Sequence, residues 1–404
     1  MYKEKIGIVG LGKLGLPMMA AFISRGFDVY GYDINKNLIE TLRSKINPYK
    51  EPGLQEVINQ TSDWNARFSD SLEDLINKVD FLFLIVPTPT KGKIFDVSYL
   101  NKAIESISDI CNKNKKKLTC VVTSTVNPGD CDQIQAKFYD KNHTKISFVY
   151  SPEFIALGSV FKDMLHPDVV LLGGEDQDAI DKIFSIYSRL YKTYPEFHRL
   201  NFFEAETAKI AINTFITTKI SYANTIGTFI DRATGSRESA QRVLNAVGGD
   251  TRIGRKYFKY GASYGGPCFP RDNRALGYHL EKYKVSAAIP EATDAFNHKL
   301  TDYWIEFIQE KKYDAIILVG LAYKFGTDFM EESFMIKLGE GVKEHADIYF
   351  SDDLIKSCEP FLNLNEFELK NSKFQKYKKI LILKNYGEID IKDLTNAEVI
   401  NLWS

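Results

Sequence analysis

Cysteine is scarce in this 404-residue chain: Cys111, Cys120, Cys131, Cys268 and Cys358 make an odd, widely spaced set of five without a metal-like CxxC pair. That excludes a disulfide-stapled scaffold, offers no metal-ligand spacing and points to a reducing compartment. No uninterrupted apolar run reaches the roughly 18 residues of a bilayer-crossing helix, so a membrane span is not expected. An excess of one charge sign is missing too, since 52 basic against 53 acidic side chains leave a formal net charge of −1. No overall field would draw nucleic acid or an anionic lipid surface, so any partner is recognised locally. Repeats and low-complexity tracts are absent, and Lys113 to Lys117 reads as a solvated helix end. The opening MYKEKIGIVG already reads as a strand, leaving no room for a cleavable leader, and the expected location is the cytoplasm.

What is present fits a globular chain of two or three domains, with 44% hydrophobic and 26% charged residues. Short apolar runs at Lys5 to Val9, Phe27 to Tyr32, Phe81 to Val86, Leu118 to Thr123 and Ile146 to Tyr150 alternate with helical segments. Alternation of this kind predicts a parallel sheet with helices on both faces. From Glu204 to about Ile230 no turn residue interrupts a stretch rich in Ala, Thr, Ile and Phe, which predicts one long buried helix. The Gly/Pro-dense segment from Tyr260 to Asp272 reads as a shaped, irregular loop. Beyond Lys312, candidate strands at Ala315 to Gly320, Asp347 to Phe350, Lys379 to Leu383 and Glu398 to Leu402 predict a second, smaller α/β unit.

Gly10-Leu11-Gly12-Lys13-Leu14-Gly15 is a G-x-G-x-x-G turn directly between strand and helix. Its first glycine permits the tight turn, its second lets backbone approach a pyrophosphate, and its third lets helix pack on sheet. Asp33 lies 18 positions beyond Gly15 at the end of the second strand, where a carboxylate accepts from a ribose hydroxyl and repels a 2′-phosphate. The expected cofactor is NAD.

Four cysteines fall in segments that read as regular structure, where a thiol is by default a small hydrophobe. Cys268 differs, lying in Gly265-Gly266-Pro267-Cys268-Phe269-Pro270 with Arg271 and Asp272 close behind; it is either a nucleophile or one more packed thiol. On the long helix Lys209 and Asn213 stand four apart and share a face. A lysine on a buried face needs a partner such as Asp272 in a structural ion pair, or an oxyanion to stabilise.

Taken together, GIVGLGKLGLP (Gly7 to Pro17), VPTPT (Val86 to Thr90), STVNPG (Ser124 to Gly129), SPEF (Ser151 to Phe154), AETAKIAINTF (Ala205 to Phe215), RIG (Arg252 to Gly254), YGGPCFPRD (Tyr264 to Asp272) and GLAYKFGTD (Gly320 to Asp328) resemble the UDP-glucose/GDP-mannose dehydrogenase family. The resemblance implies NAD-dependent oxidation of a nucleotide sugar's C6 hydroxymethyl to a carboxylate, with UDP-glucose as the expected substrate and another UDP- or GDP-sugar as the alternative. It implies an α/β fold of two Rossmann-like parallel-sheet domains joined by a long central helix. Residues 1–200 would bind NAD, 201–300 would form a helical dimerisation region with the cysteine loop, and 301–404 would bind the nucleotide sugar. By the same resemblance Cys268 is the nucleophile, Lys209 and Asn213 hold the oxyanion, Asp272 works with Lys209 in proton transfer, Glu153 is the base for thioester hydrolysis, and Thr125 sits near the nicotinamide. Gly10, Gly12, Lys13, Leu14, Gly15, Asp33, Thr88 and Thr125 would line the cofactor. Phe154, Lys209, Asn213, Arg252, Tyr257, Lys259, Gly261 and Lys324 would meet the substrate, with Arg252 reaching a partner subunit of a homodimer.

Three departures stand out. Leu157 replaces a glutamate that many UDP-glucose enzymes carry four positions after Glu153, Glu331 replaces the arginine of a D-x-x-R-E-S pattern, and Arg271 replaces lysine. A two-electron 3-hydroxyacid dehydrogenase also pairs Lys and Asn on one helix, but a single hydride transfer needs no thiol. A dinucleotide sensor would first have lost the chemical residues that remain here.

Overall fold

The computed structural model describes residues 3–142, 146–364, 372–389, 394 and 396–403. Two compact units, Met1–Lys209 and Ile210–Ser404, divide the chain within its longest helix, Phe202–Thr234.

In the first unit the strands are β1 (Lys5–Val9), β2 (Asp28–Tyr32), β3 (Phe81–Leu84), a two-strand hairpin of β4 (Thr90–Lys91) and β5 (Ile94–Phe95), β6 (Leu118–Val122), β7 (Ile146–Tyr150), β8 (Val169–Gly173) and β9 (Glu196–Leu200). The main sheet runs β2-β1-β3-β6-β7-β8-β9, so strand order reverses between β1 and β3. Side-chain alternation splits its residues between two cores. Ile6, Ile8 and Phe83 pack with Leu16, Phe22 and Ile183 on one face; Val9, Leu82 and Leu84 pack with Leu75, Ile104 and Cys111 on the other. The sheet is parallel across β2, β1, β3, β6 and β7, the five strands read from the sequence, and β8, which that reading did not include, pairs antiparallel with β7 at Tyr150 and Gly173. Mixed sheets with such an edge are common in doubly wound folds.

The second unit holds a wholly parallel sheet in the order β12-β11-β10-β13-β14, from β10 (Ala315–Val319), β11 (Asp347–Ser351), β12 (Leu362–Asn363), β13 (Ile380–Lys384) and β14 (Ala397–Asn401). The same alternation sends Ile316 and Leu318 to one core, and Ile317 and Val319 to the other. Both units are Rossmann-like, as the sequence predicted.

Two expectations need correcting. The long helix is not buried all round: Phe215, Tyr222 and Phe229 are 66%, 56% and 64% exposed. The segment Tyr260 to Asp272 is not loop throughout, because a helix, Phe269–Lys282, starts immediately after Cys268. Pro270 concealed it; in a first turn the missing N–H costs nothing, since that donor has no intrahelical acceptor anyway.

Candidate active site

The cofactor turn follows β1 at the carboxyl edge of the first sheet, where the order reversal opens a crevice. Gly10 has φ +91°, and a Cβ there would stand 2.0 Å from the Ile85 carbonyl oxygen; one on Gly15 would stand 1.8 Å from that of Gly10. Gly12 has nothing within 4 Å of its Cβ position, so backbone is open to a ligand there. Leu14 caps the helix Gly15–Ser24, and Lys13 is exposed beside it. Asp33 Oδ2 accepts from Leu11 N (2.7 Å) and Oδ1 from Asn35 N (2.8 Å), which fixes the carboxylate at the end of β2. Two neighbours carried no recognisable sequence signal: Tyr49, whose phenol donates to the Leu11 carbonyl (3.1 Å), and Ile34, an apolar side chain 88% exposed beside Asp33. An open glycine, a helix N-terminus and a fixed carboxylate fit the phosphates and ribose of NAD.

Across the crevice, Thr88 Oγ1 donates to the Thr125 carbonyl (2.7 Å), while Ser124 Oγ accepts from Val86 N (3.0 Å) and donates to Val86 O (2.7 Å). These bonds hold the ends of β3 and β6 together and set the path through Thr125. The loop after Thr125 is anchored by buried Glu206, which accepts from Gly129 N (2.6 Å) and Cys131 N (2.7 Å). Burial pushes Glu206 up to about 7, with the two N–H donors pulling the other way.

Glu153 and Phe154 follow β7. Lys209 is only 7% exposed; its ammonium donates to the Glu153 carbonyl (2.6 Å) and lies 4.4 Å from the Phe154 ring centre. Burial pushes the Glu153 carboxyl up to about 7, although the Lys209 charge pulls it down. Beneath it, buried Tyr187 donates to Ser151 Oγ (3.1 Å).

In the second unit Cys268 is exposed and caps the helix Phe269–Lys282. Asp272, in the first turn and 1% exposed, accepts from Asn213 Nδ2 (2.6 Å) and from Arg271 Nε (3.4 Å). The structure thus brings Cys268, Asp272 and Asn213 to one end of one helix. The approach to Cys268 is pinned by Asn297, which accepts from Tyr264 N (2.9 Å) and donates to Tyr264 O (2.9 Å).

The remaining residues are more dispersed. Arg252 is bound to Asp250 (2.7 Å) with its side chain 87% exposed. Tyr257 holds φ +60° and its ring lies 6.3 Å from that of Phe269, while Lys259 is exposed. Gly261 donates to Asn224 Oδ1 (2.9 Å), and a Cβ there would lie 2.4 Å from the Trp403 ring. Lys324 is half-buried in the turn after β10.

The pattern of the UDP-glucose/GDP-mannose dehydrogenase family, NAD binding domain, matches residues 4–193, and that of the same family's central domain matches residues 203–299. A UDP-glucose 6-dehydrogenase of Glycine max is 30% identical over 397 residues, covering 90% of this chain and 79% of that protein. A UDP-glucose dehydrogenase from Pyrobaculum islandicum superposes with a TM-score of 0.85 at 25% identity, covering 100% of this chain and 98% of the other. A UDP-D-ManNAc dehydrogenase from Pyrococcus horikoshii shares the fold, with a TM-score of 0.77 at 21% identity over 98% of this chain and 99% of its own.

Proposed function

Because this chain belongs to the UDP-glucose/GDP-mannose dehydrogenase family and is an NAD-dependent nucleotide-sugar 6-dehydrogenase, we propose that it converts UDP-glucose to UDP-glucuronate through a covalent adduct on Cys268. The observation that carries this reading is Cys268, exposed at the N-terminal cap of a helix whose first turn holds a buried Asp272 bound to Asn213. The positive end of that helix favours negative charge at the sulfur.

When bound, NAD takes up one hydride in each of the two oxidations. Gly12 and the helix N-terminus would receive its phosphates, and Asp33 its ribose. The chain's residues do the rest. The first oxidation leaves an aldehyde at C6; the Cys268 thiolate adds to that carbon, forming a C–S bond and moving the carbonyl π pair onto oxygen. The Lys209 ammonium and the Asn213 amide stabilise this oxyanion, and Asp272, working with Lys209 and a water, takes up the proton that the C6 hydroxyl lost in the first oxidation. Loss of the remaining hydride restores the C=O as a thioester. Glu153 then removes one proton from water; the water oxygen attacks, the C–S bond breaks, the thiolate leaves, and the carboxylic acid formed loses its proton to solvent.

In the same reading residues 1–200 serve the cofactor, 201–300 join two copies and 301–404 hold the nucleotide sugar, with Phe154, Arg252, Tyr257, Lys259, Gly261 and Lys324 around it. A cytoplasmic setting suits an exposed thiol that has to stay reduced. The test is NADH formed per nucleotide sugar consumed, across a panel that includes UDP-glucose and UDP-N-acetylmannosamine. Two NADH per UDP-glucose, and no acid from C268S, are expected. A ratio of one, or undiminished acid from C268S, overturns the covalent route, and turnover confined to the amino sugar overturns the substrate.

A further inference from the structure

The turn after β10 lies against the cysteine loop within the second unit, and its contacts are close. A Cβ on Gly266, two residues before Cys268, would stand 2.6, 2.7 and 2.9 Å from three ring carbons of Tyr323. One on Gly265 would stand 2.3 Å from the Glu332 carbonyl oxygen and 3.3 Å from Tyr323 Cβ. Gly266 holds φ +81° and donates its N–H to the Glu331 carbonyl (3.0 Å). The two glycines therefore let backbone lie directly on an aromatic ring, a contact that any side chain would prevent.

The turn that presents the ring is itself fastened. Tyr323 N donates to Phe329 O (3.1 Å), Ser333 Oγ donates to Leu321 O (2.6 Å), and Glu332 sits at φ +55° with its carboxylate between Lys337 and Arg274. Arg274 belongs to the helix that Cys268 caps, and its Nε also donates to Asp294 (3.2 Å). The helix below the thiol is thus tied by an ion pair to the turn that covers the loop above it. Burial, and after it the neighbouring Cys268, push the Tyr323 phenol up to about 12, so it keeps its proton at neutral pH.

We propose that Tyr323 is the positioning residue for Cys268: its ring, seated on Gly266 and held there through the Glu332–Arg274 pair, fixes the backbone path that delivers the thiol to the substrate carbon. The inference rests on the reading of Cys268 as nucleophile. It assigns the work to the ring face and not to the hydroxyl. It also gives the backbone carbonyl of Glu331 a part, as the acceptor for the Gly266 N–H.

The test is a double-mutant cycle on the full chain, following acid formation from UDP-glucose, KM for NAD and NADH binding by fluorescence. Y323A is expected to lower kcat for acid formation about 100-fold, the scale of a small misplacement of a reacting group, with KM for NAD and NADH binding unchanged. Y323F should restore the rate. G266A should reproduce the loss, and G266A/Y323A should lose no more than the worse single variant, because both act on one contact. Wild-type turnover by Y323A, failure of Y323F to rescue, or losses that multiply in the double variant would each overturn the proposal. Should Y323A not fold, Y323L, which keeps apolar bulk without a flat ring, takes its place with the same expectations. C268S run alongside separates the two claims. Acid formation by C268S sinks the nucleophile reading, whereas an inactive C268S beside a fully active Y323A sinks only the role of Tyr323.

Discussion

Glu153 shows how a single environment changes what a residue can do. An exposed glutamate is fully ionised and weakly basic at neutral pH; desolvation raises this one to about 7, where a carboxylate is a competent general base. Acid formation is therefore expected to fall below about pH 7 as Glu153 takes up its proton, and E153Q should abolish that limb together with most thioester hydrolysis. Rapid-quench measurement of accumulated thioester against pH checks this, and an unchanged acid limb in E153Q would refute it. The sign for stability runs the other way. A folded-state pKa above the unfolded 4.5 means that folding takes up a proton, so the stability this group contributes is complete below about pH 4.5 and is lost as pH rises towards 7. The SPEF motif named the residue in advance. Its altered acidity depends on burial, opposed by the charge of Lys209, which lies far along the chain on the long helix.

Among the elements, the strand-turn-helix at Lys5 to Ser24 was almost wholly legible, because its glycine spacing encodes a steric demand that does not depend on distant residues. G10A should show this most directly: φ +91° and a 2.0 Å approach to the Ile85 carbonyl oxygen leave no place for a methyl group. NADH affinity in G10A is expected to fall at least about tenfold, or about 1.4 kcal/mol, by fluorescence titration, and unaltered affinity would count against the turn as the cofactor site. Other elements were less legible. β8, Val169 to Gly173, is an apolar run that strand reading could have caught, whereas β9, Glu-Phe-His-Arg-Leu, carries too many polar residues at the sheet edge to announce itself. The start of the helix after Cys268 was hidden because proline marks both a loop and a permitted first turn.

On the scale of the whole molecule, the long helix leaves Phe215, Tyr222 and Phe229 exposed at intervals of seven, since 222 − 215 = 7 and 229 − 222 = 7. A straight helix drifts only about 20° per heptad, so the three rings form one stripe, and a second copy of this chain is the occupant the homodimer reading requires. On the homodimer proposal, Y222K is expected to shift the protein from dimer towards monomer in sedimentation velocity and, if Arg252 serves the partner's site as proposed, to weaken acid formation with it. A Y222K dimer as tight as wild type would remove this stripe from the interface. The sequence by itself determined the α/β alternation and the NAD turn, because those are written in local periodicity and in steric requirements of single positions, and its family motifs nominated the chemical residues that the proposed mechanism uses. Tertiary structure alone decided which of these residues are desolvated, which carbonyls and rings lie against the two glycines before Cys268, and which face of the long helix stays uncovered. Burial and close approach are set by segments far apart in the chain, and no local pattern carries them.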